Sequence, residues 1–115
     1  MAIVTAQFVA GTTQASPVSV SESFVSTPGT GSLIVVVSHL RHSALSPPDV
    51  TITDNQGNTY TTKVNTVQGR VRTTQAFINL PASSGTFTVT VTPASTPAGM
   101  KVDLYEITGQ ATSGV

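Results

Sequence analysis

The chain has 115 residues, with five Lys and Arg against five Asp and Glu, two His and a formal net charge of zero. Charged residues make up only 9% of it, well under the roughly 25% usual in soluble domains, and Ser and Thr fill the polar positions instead. With no Cys, disulfides, thiolate chemistry and Cys-based zinc sites are excluded. No stretch reaches the ~20 apolar residues of a membrane helix, and no basic stripe of the kind that tracks a nucleic-acid backbone is visible along the chain.

This length suits one domain over residues 1–115 with a single core. Thr suits a pleated, half-exposed surface, so the composition favours strands over helices. Residues 1–10 are mildly apolar, but the first basic residue is Arg41, so no secretory signal peptide is expected.

In chain order, residues 3–9 alternate, with Val4, Ala6 and Phe8 on one side and Thr5 and Gln7 on the other. Gly11, Thr12 and Thr13 break the pattern. Residues 17–24 alternate again, with Val18, Val20 and Phe24 against Ser19, Ser21 and Ser23. Glu22 falls on the apolar side, which places it near an edge or an end. Residues 27–31, TPGTG, form a turn cluster. Residues 33–37, LIVVV, are continuously apolar and predict a central strand buried on both faces. After His39 and His42 the longest irregular piece, residues 41–48, ends in Pro47 and Pro48.

Val50 and Ile52 alternate with Thr51 and Thr53, residues 54–58 (DNQGN) supply turn chemistry, and residues 59–64 resume the extended pattern. That reads as a β-hairpin, with Gly57 in a left-handed conformation. Residues 70–80 predict another strand with Val71, Phe77 and Ile78 in the core, and residues 82–85 turn the chain. Residues 86–92, TFTVTVT, alternate cleanly, with Phe87, Val89 and Val91 inward. Residues 93–99 form a second loop, and residues 100–107 the last strand, with Met100, Val102 and Leu104 inward. Eight or nine short strands at this spacing predict an all-β, single antiparallel β-sandwich.

Three constellations carry candidate chemistry. His39 and His42 form H-x-x-H with Asp49 as a possible third ligand, but on a strand the two His point to opposite faces. Asp54, Asn55 and Asn58 offer oxygen ligands, but their spacing is not that of an EF-hand, and a turn capped by Asx side chains is the simpler reading. Glu106, in phase with Leu104, is an inward carboxylate that needs partners: Arg70, Arg72 or a neighbouring turn. Its nearest carboxylate in sequence, Asp103, lies on the other face of the strand, so no acid pair forms. No G-x-S-x-G elbow exists, only Tyr60 and Tyr105 could serve as sugar platforms, and the Thr comb of residues 86, 88, 90 and 92 reads as a solvated face. No catalytic residue, metal site or cofactor is expected.

Three pieces together resemble a domain of bacteriophage structural proteins and bacterial surface proteins. Residues 32–38, SLIVVVS, are similar to that family's sLLVVavs strand; residues 50–60, VTITDNQGNTY, to its VtDsqGNty hairpin; and residues 102–109, VDLYEITG, to its closing vaEysG. The resemblance covers about residues 32–109, with the TFTVTVT strand in the expected order. It implies a jelly-roll or immunoglobulin-like sandwich without an enzymatic role. That family's domain often sits inside longer chains, so a chain of this length looks like an assembly subunit. The expectation is a structural protein of a phage-like virion, assembled in the host cytoplasm. Capsid decoration or cement comes first, then a tail or fibre component. Its partners would be other copies of itself, as a homo-oligomer, and other virion proteins, with neither nucleic acid nor membrane. Residues 1–10 and 108–115 would be assembly arms. Two alternatives stand beside it. One is an extracellular or cell-surface module binding a glycan or host surface through loops 41–48 and 92–99. The other is a filament subunit whose N-terminal strand completes a neighbour's sheet.

Overall fold

A computed structural model of the chain describes residues 3–80 and 83–109. Most of the expected C-terminal arm, residues 110–115, lies outside the described residues, as do residues 1–2 of the N-terminal arm and residue 82 of the expected turn. Nine strands follow in order: β1 (Val4–Val9), β2 (Gln14–Ala15), β3 (Val20–Ser23), β4 (Leu33–Arg41), β5 (Val50–Asp54), β6 (Thr61–Gln68), β7 (Val71–Asn79), β8 (Thr88–Pro93) and β9 (Gly99–Thr108). They build two antiparallel sheets. The larger runs β1-β9-β4-β7-β6, with the two-residue β2 also on β9, and the smaller runs β3-β8-β5.

The pairing is nested: β1 with β9, β3 with β8, β4 with β7. One long antiparallel ribbon is thus wound around itself. This is the winding of a jelly roll, with β6 turned onto the edge of β7.

Between the sheets lies one apolar core. Ile34, Val36 and Leu40 of β4 and Val102 and Leu104 of β9 face Val89 and Val91 of β8, with Phe24 and Phe87 tilted against each other 5.9 Å apart. The inward sets of TFTVTVT and of the last strand are as the alternation predicts, since Phe87, Val89, Val91, Val102 and Leu104 are all fully buried. The run LIVVV is central, flanked by β7 and β9. Its even positions are buried in the core, while Leu33, Val35 and Val37 are only half-buried on the solvent side. Glu22 lies half-buried on edge strand β3, at the edge position expected of it.

Four expectations are corrected. The LIVVV strand is buried on one face only, because nothing among the described residues covers the outer face of its sheet. Residues 50–64 are not a hairpin: β5 pairs with β8 and β6 with β7, in different sheets. The turn at residues 54–58 is a corner that carries the chain across the sandwich. Val71 and Phe77 are not core residues. Thr74, Ala76 and Ile78 face inward, so the pleat turns Val71 and Phe77 to the solvent side. In β1 a bulge between Thr5 and Gln7 shifts the phase. Val4 and Phe8 are about half exposed while Gln7 and Val9 turn toward the interior.

The corner is built on Asp54. One of its carboxylate oxygens accepts the Gln56 and Asn58 backbone N–H groups at 2.8 and 3.1 Å; the other accepts the Asn58 amide at 2.9 Å and the Tyr60 hydroxyl at 2.8 Å. Gly57 has φ +79°, as the turn chemistry predicts.

Candidate interaction surface

The outer face of the larger sheet departs from the usual polar solvent face of an antiparallel sheet. Register places Phe8, Tyr105, Val35, Phe77 and Thr61 in one row across all five strands. Phe8 stacks on Tyr105 with ring centroids 4.7 Å apart. The row on one side carries Ile107 and Leu33; on the other side Val37 sits between Asp103 and Gln75. At strand spacings of ~4.8 Å and ~3.4 Å per residue, these rows span about 19 Å by 14 Å. That is enough for the apolar centre of an interface but not for the whole of one. Lys63 lies 5.8 Å from the Phe77 ring centroid, a cation–π arrangement that covers one side of the patch.

Further along the same face the character changes. His39 is opposite Lys101 and Thr73, and Arg41 is opposite Gly99 and Val71. Sequence reading missed this cluster because residues 39, 41, 71 and 101 are far apart in the chain.

The predicted candidates have structural partners. His39 is exposed on the outer face with Nδ1 3.4 Å from the Thr73 hydroxyl. His42, in the loop beyond β4, donates its backbone N–H to the Arg70 carbonyl. Asp49 accepts from its neighbour Val50 N–H and from the Asn65 amide, and faces Arg72 at 3.9 Å. Among the described residues no three His, Asp or Glu side chains are grouped to hold a metal ion. Asn55 is tied to the start of β8, its amide donating to the Thr86 carbonyl at 2.7 Å and its side-chain oxygen accepting the Thr88 N–H at 3.0 Å. Tyr60 is turned to Asp54; its burial, then its hydrogen bond and the neighbouring negative charge, hold its hydroxyl protonated. Thr88 and Thr90 pair with the hydroxyls of Ser23 and Ser21, both at 2.8 Å, so these two teeth of the Thr comb face cross-strand neighbours.

Glu106 is buried and caps the turn before β4; neither Arg70 nor Arg72 reaches it. It accepts from the Ser32 hydroxyl at 2.7 Å, the Gln7 amide at 2.8 Å and the Gly29 N–H at 2.9 Å. Burial alone would raise its pKa, but these three donors outweigh it and hold the carboxyl below its ordinary value. Asp103, on the opposite face, accepts the Gly11 N–H at 2.9 Å and faces Lys101 at 3.5 Å. Burial, then the Asp103 charge, push Glu22 upward.

No family model, curated protein or solved structure matches the chain. No helix among the described residues is long and apolar enough to cross a membrane.

Proposed function

We propose that the chain is a non-enzymatic structural protein that acts by surface complementarity, as a self-associating subunit of a phage-like particle. Capsid decoration or cement is the leading role, and a tail or fibre component the next. The observation that supports it is the apolar row Phe8–Tyr105–Val35–Phe77 on the outer face of the larger sheet. A second copy packed there would cover side chains that are otherwise wet, at ~25 cal/mol for each Å² of apolar surface removed from water. Low charge helps, because short hydroxyl side chains lose less on desolvation than unpaired ions do.

The reading is tested by analytical ultracentrifugation of the purified chain. The wild type sediments as an oligomer at micromolar concentration. Val35→Glu, which places a charge on the solvent side of β4, sediments as a monomer with an unchanged circular dichroism spectrum. The control Thr92→Glu, on the outer face of the small sheet, stays oligomeric. A wild-type monomer across the concentration range overturns the reading.

A glycan- or host-binding module is the second reading, favoured by one observation. The two loops expected to make contact lie together, with Ala98 N–H bonded to the Arg41 carbonyl at 2.8 Å and Ala94 N–H to the Asp49 carbonyl at 2.9 Å.

A further inference from the structure

A formal charge of zero hides an uneven surface. Three of the five carboxylates are spent inside the fold. Glu106 and Asp103 are buried, and the two oxygens of Asp54 are taken by four donors. Asp49 faces Arg72. The cations are left outside, and three of them gather where β4 ends and β7 and β9 begin. Arg41 is the last residue of β4, Arg70 immediately precedes β7, and Lys101 is the third residue of β9. Arg41 and Arg70 are exposed. The ion pairs among the described residues are Arg72–Asp49 and Lys101–Asp103, so neither Arg41 nor Arg70 has a carboxylate partner there.

A depression of about 280 Å³ opens beside them, lined in part by Thr13, His39, Arg41, Val71, Gly99 and Lys101. Leu40 and Met100 complete a lining that is mostly apolar, and its few polar groups can all act as donors: a guanidinium, an ammonium, an imidazole and a hydroxyl. Gly99 lies on the floor under Arg41, whose Nη2 lies 3.8 Å from where a β-carbon at residue 99 would stand, an ordinary contact distance. A planar guanidinium presents paired N–H groups that match two oxygens of one oxyanion, and an ammonium adds a compact positive charge. The size lies just below that of pockets for drug-like molecules, so an oxyanion group held by Arg41 would fill only part of it.

We propose that this depression is a binding site for a single oxyanion group: phosphate, sulfate or carboxylate. Arg41, which has no carboxylate partner, grips the oxygens; Lys101, paired with Asp103 at 3.5 Å, adds a further N–H donor from the neighbouring strand, and Thr13 and His39 line the walls. The site lies beside the apolar row, and its test does not depend on self-association.

The experiment is a ¹H–¹⁵N NMR titration of the whole chain with sodium phosphate, sulfate or acetate, each at constant ionic strength balanced by chloride. Saturable shifts confined to the amides of Thr13, Arg41, Gly99 and Lys101 are expected with at least one of the three. Preference for phosphate or sulfate assigns an ester group, and preference for acetate assigns a carboxylate. Arg41→Gln weakens binding about tenfold or more, the fold-change expected for losing charge-assisted hydrogen bonds, and Lys101→Gln severalfold. Lys63→Gln, which removes a cation on β6, leaves binding unchanged. All three substituted side chains are at least partly exposed, so the spectra themselves report that the variants fold. Shifts that never saturate, shifts spread over the molecule, or equal weakening by Lys63→Gln overturn the proposal.

Discussion

Replacing Glu106 with Gln tests the internal account of this sandwich most directly. Two donors, Gly29 N–H and the Ser32 hydroxyl, share one carboxylate oxygen, and the Gln7 amide uses the other. A Gln side chain keeps one acceptor oxygen and sets an NH₂ group against the rest. If that group faces the turn, Gly29 loses its acceptor. If it faces β1, it meets the Gln7 amide, which cannot reverse without losing its pair of bonds to Ser26 at 2.9 and 3.0 Å. Either way one part-buried donor loses its acceptor, at about 1–3 kcal/mol, and the surviving bonds lose their charge assistance. The sum is about 2–4 kcal/mol, which lowers the melting temperature of a domain this size by roughly 8–16 °C. The pH dependence adds a second readout. The folded pKa of Glu106 lies below its ordinary value, so its contribution is present above the unfolded value of about 4.3 and is lost as pH falls through the folded pKa. Thermal unfolding followed by circular dichroism at pH 7 and pH 3 therefore shows a large deficit at neutral pH that narrows in acid. A variant melting within about 2 °C of wild type at pH 7, or a deficit unmoved by acid, refutes the reasoning.

Two further substitutions address backbone positions. At Gly11 an added β-carbon would overlap the Val102 carbonyl oxygen, a backbone atom of β9; Gly11→Ala is expected to cost about 1–3 kcal/mol in urea unfolding, and an unchanged midpoint would show that the segment between β1 and β2 yields freely. At Gly57 a β-carbon meets nothing within 4 Å, so the cost of Gly57→Val is that of the left-handed backbone alone, about 1–2 kcal/mol, and Gly57→Asn recovers much of it. Equal melting temperatures for the two variants would contradict this account of the corner.

The outline of the fold was legible because alternation is a local signal. Phe87, Val89 and Val91 need only the pleat to be placed inward. Pairing is a different kind of information. The extended patterns on either side of DNQGN suit a hairpin as well as a crossing between sheets. The choice is made by partners distant in the chain, Ile52 with Val91 and Thr61 with Phe77. Phe77 and Ile78 are equally apolar, so sequence alone does not say which one meets solvent; Leu80, Ala76 and Thr74 on the inner side decide it. The basic end was invisible for the same reason, since its cations come together only when β4, β7 and β9 are aligned. Glu106 was placed correctly as an inward carboxylate, with a neighbouring turn among its candidate partners. That the turn is the one at Gly29 and Ser32 follows from β9 lying beside β4.

The nested pairing has a consequence for the order in which this molecule can come into being. Of these strands β9 is the last to leave the ribosome, yet β1, β2 and β4 all pair with it. Until residues 99–108 emerge, β1 and β2 have no ladder to join, and one side of β4, with its LIVVV run, stays bare. The β4–β7 and β3–β8 pairs can close earlier, so the nascent chain holds a half-built sandwich with an unpaired apolar strand, the kind of intermediate that aggregates. Completion then depends on pairing residues about 100 positions apart, which makes for slow folding. Chains stopped before β9 should therefore be the species that protease and chaperone encounter, however stable the finished domain.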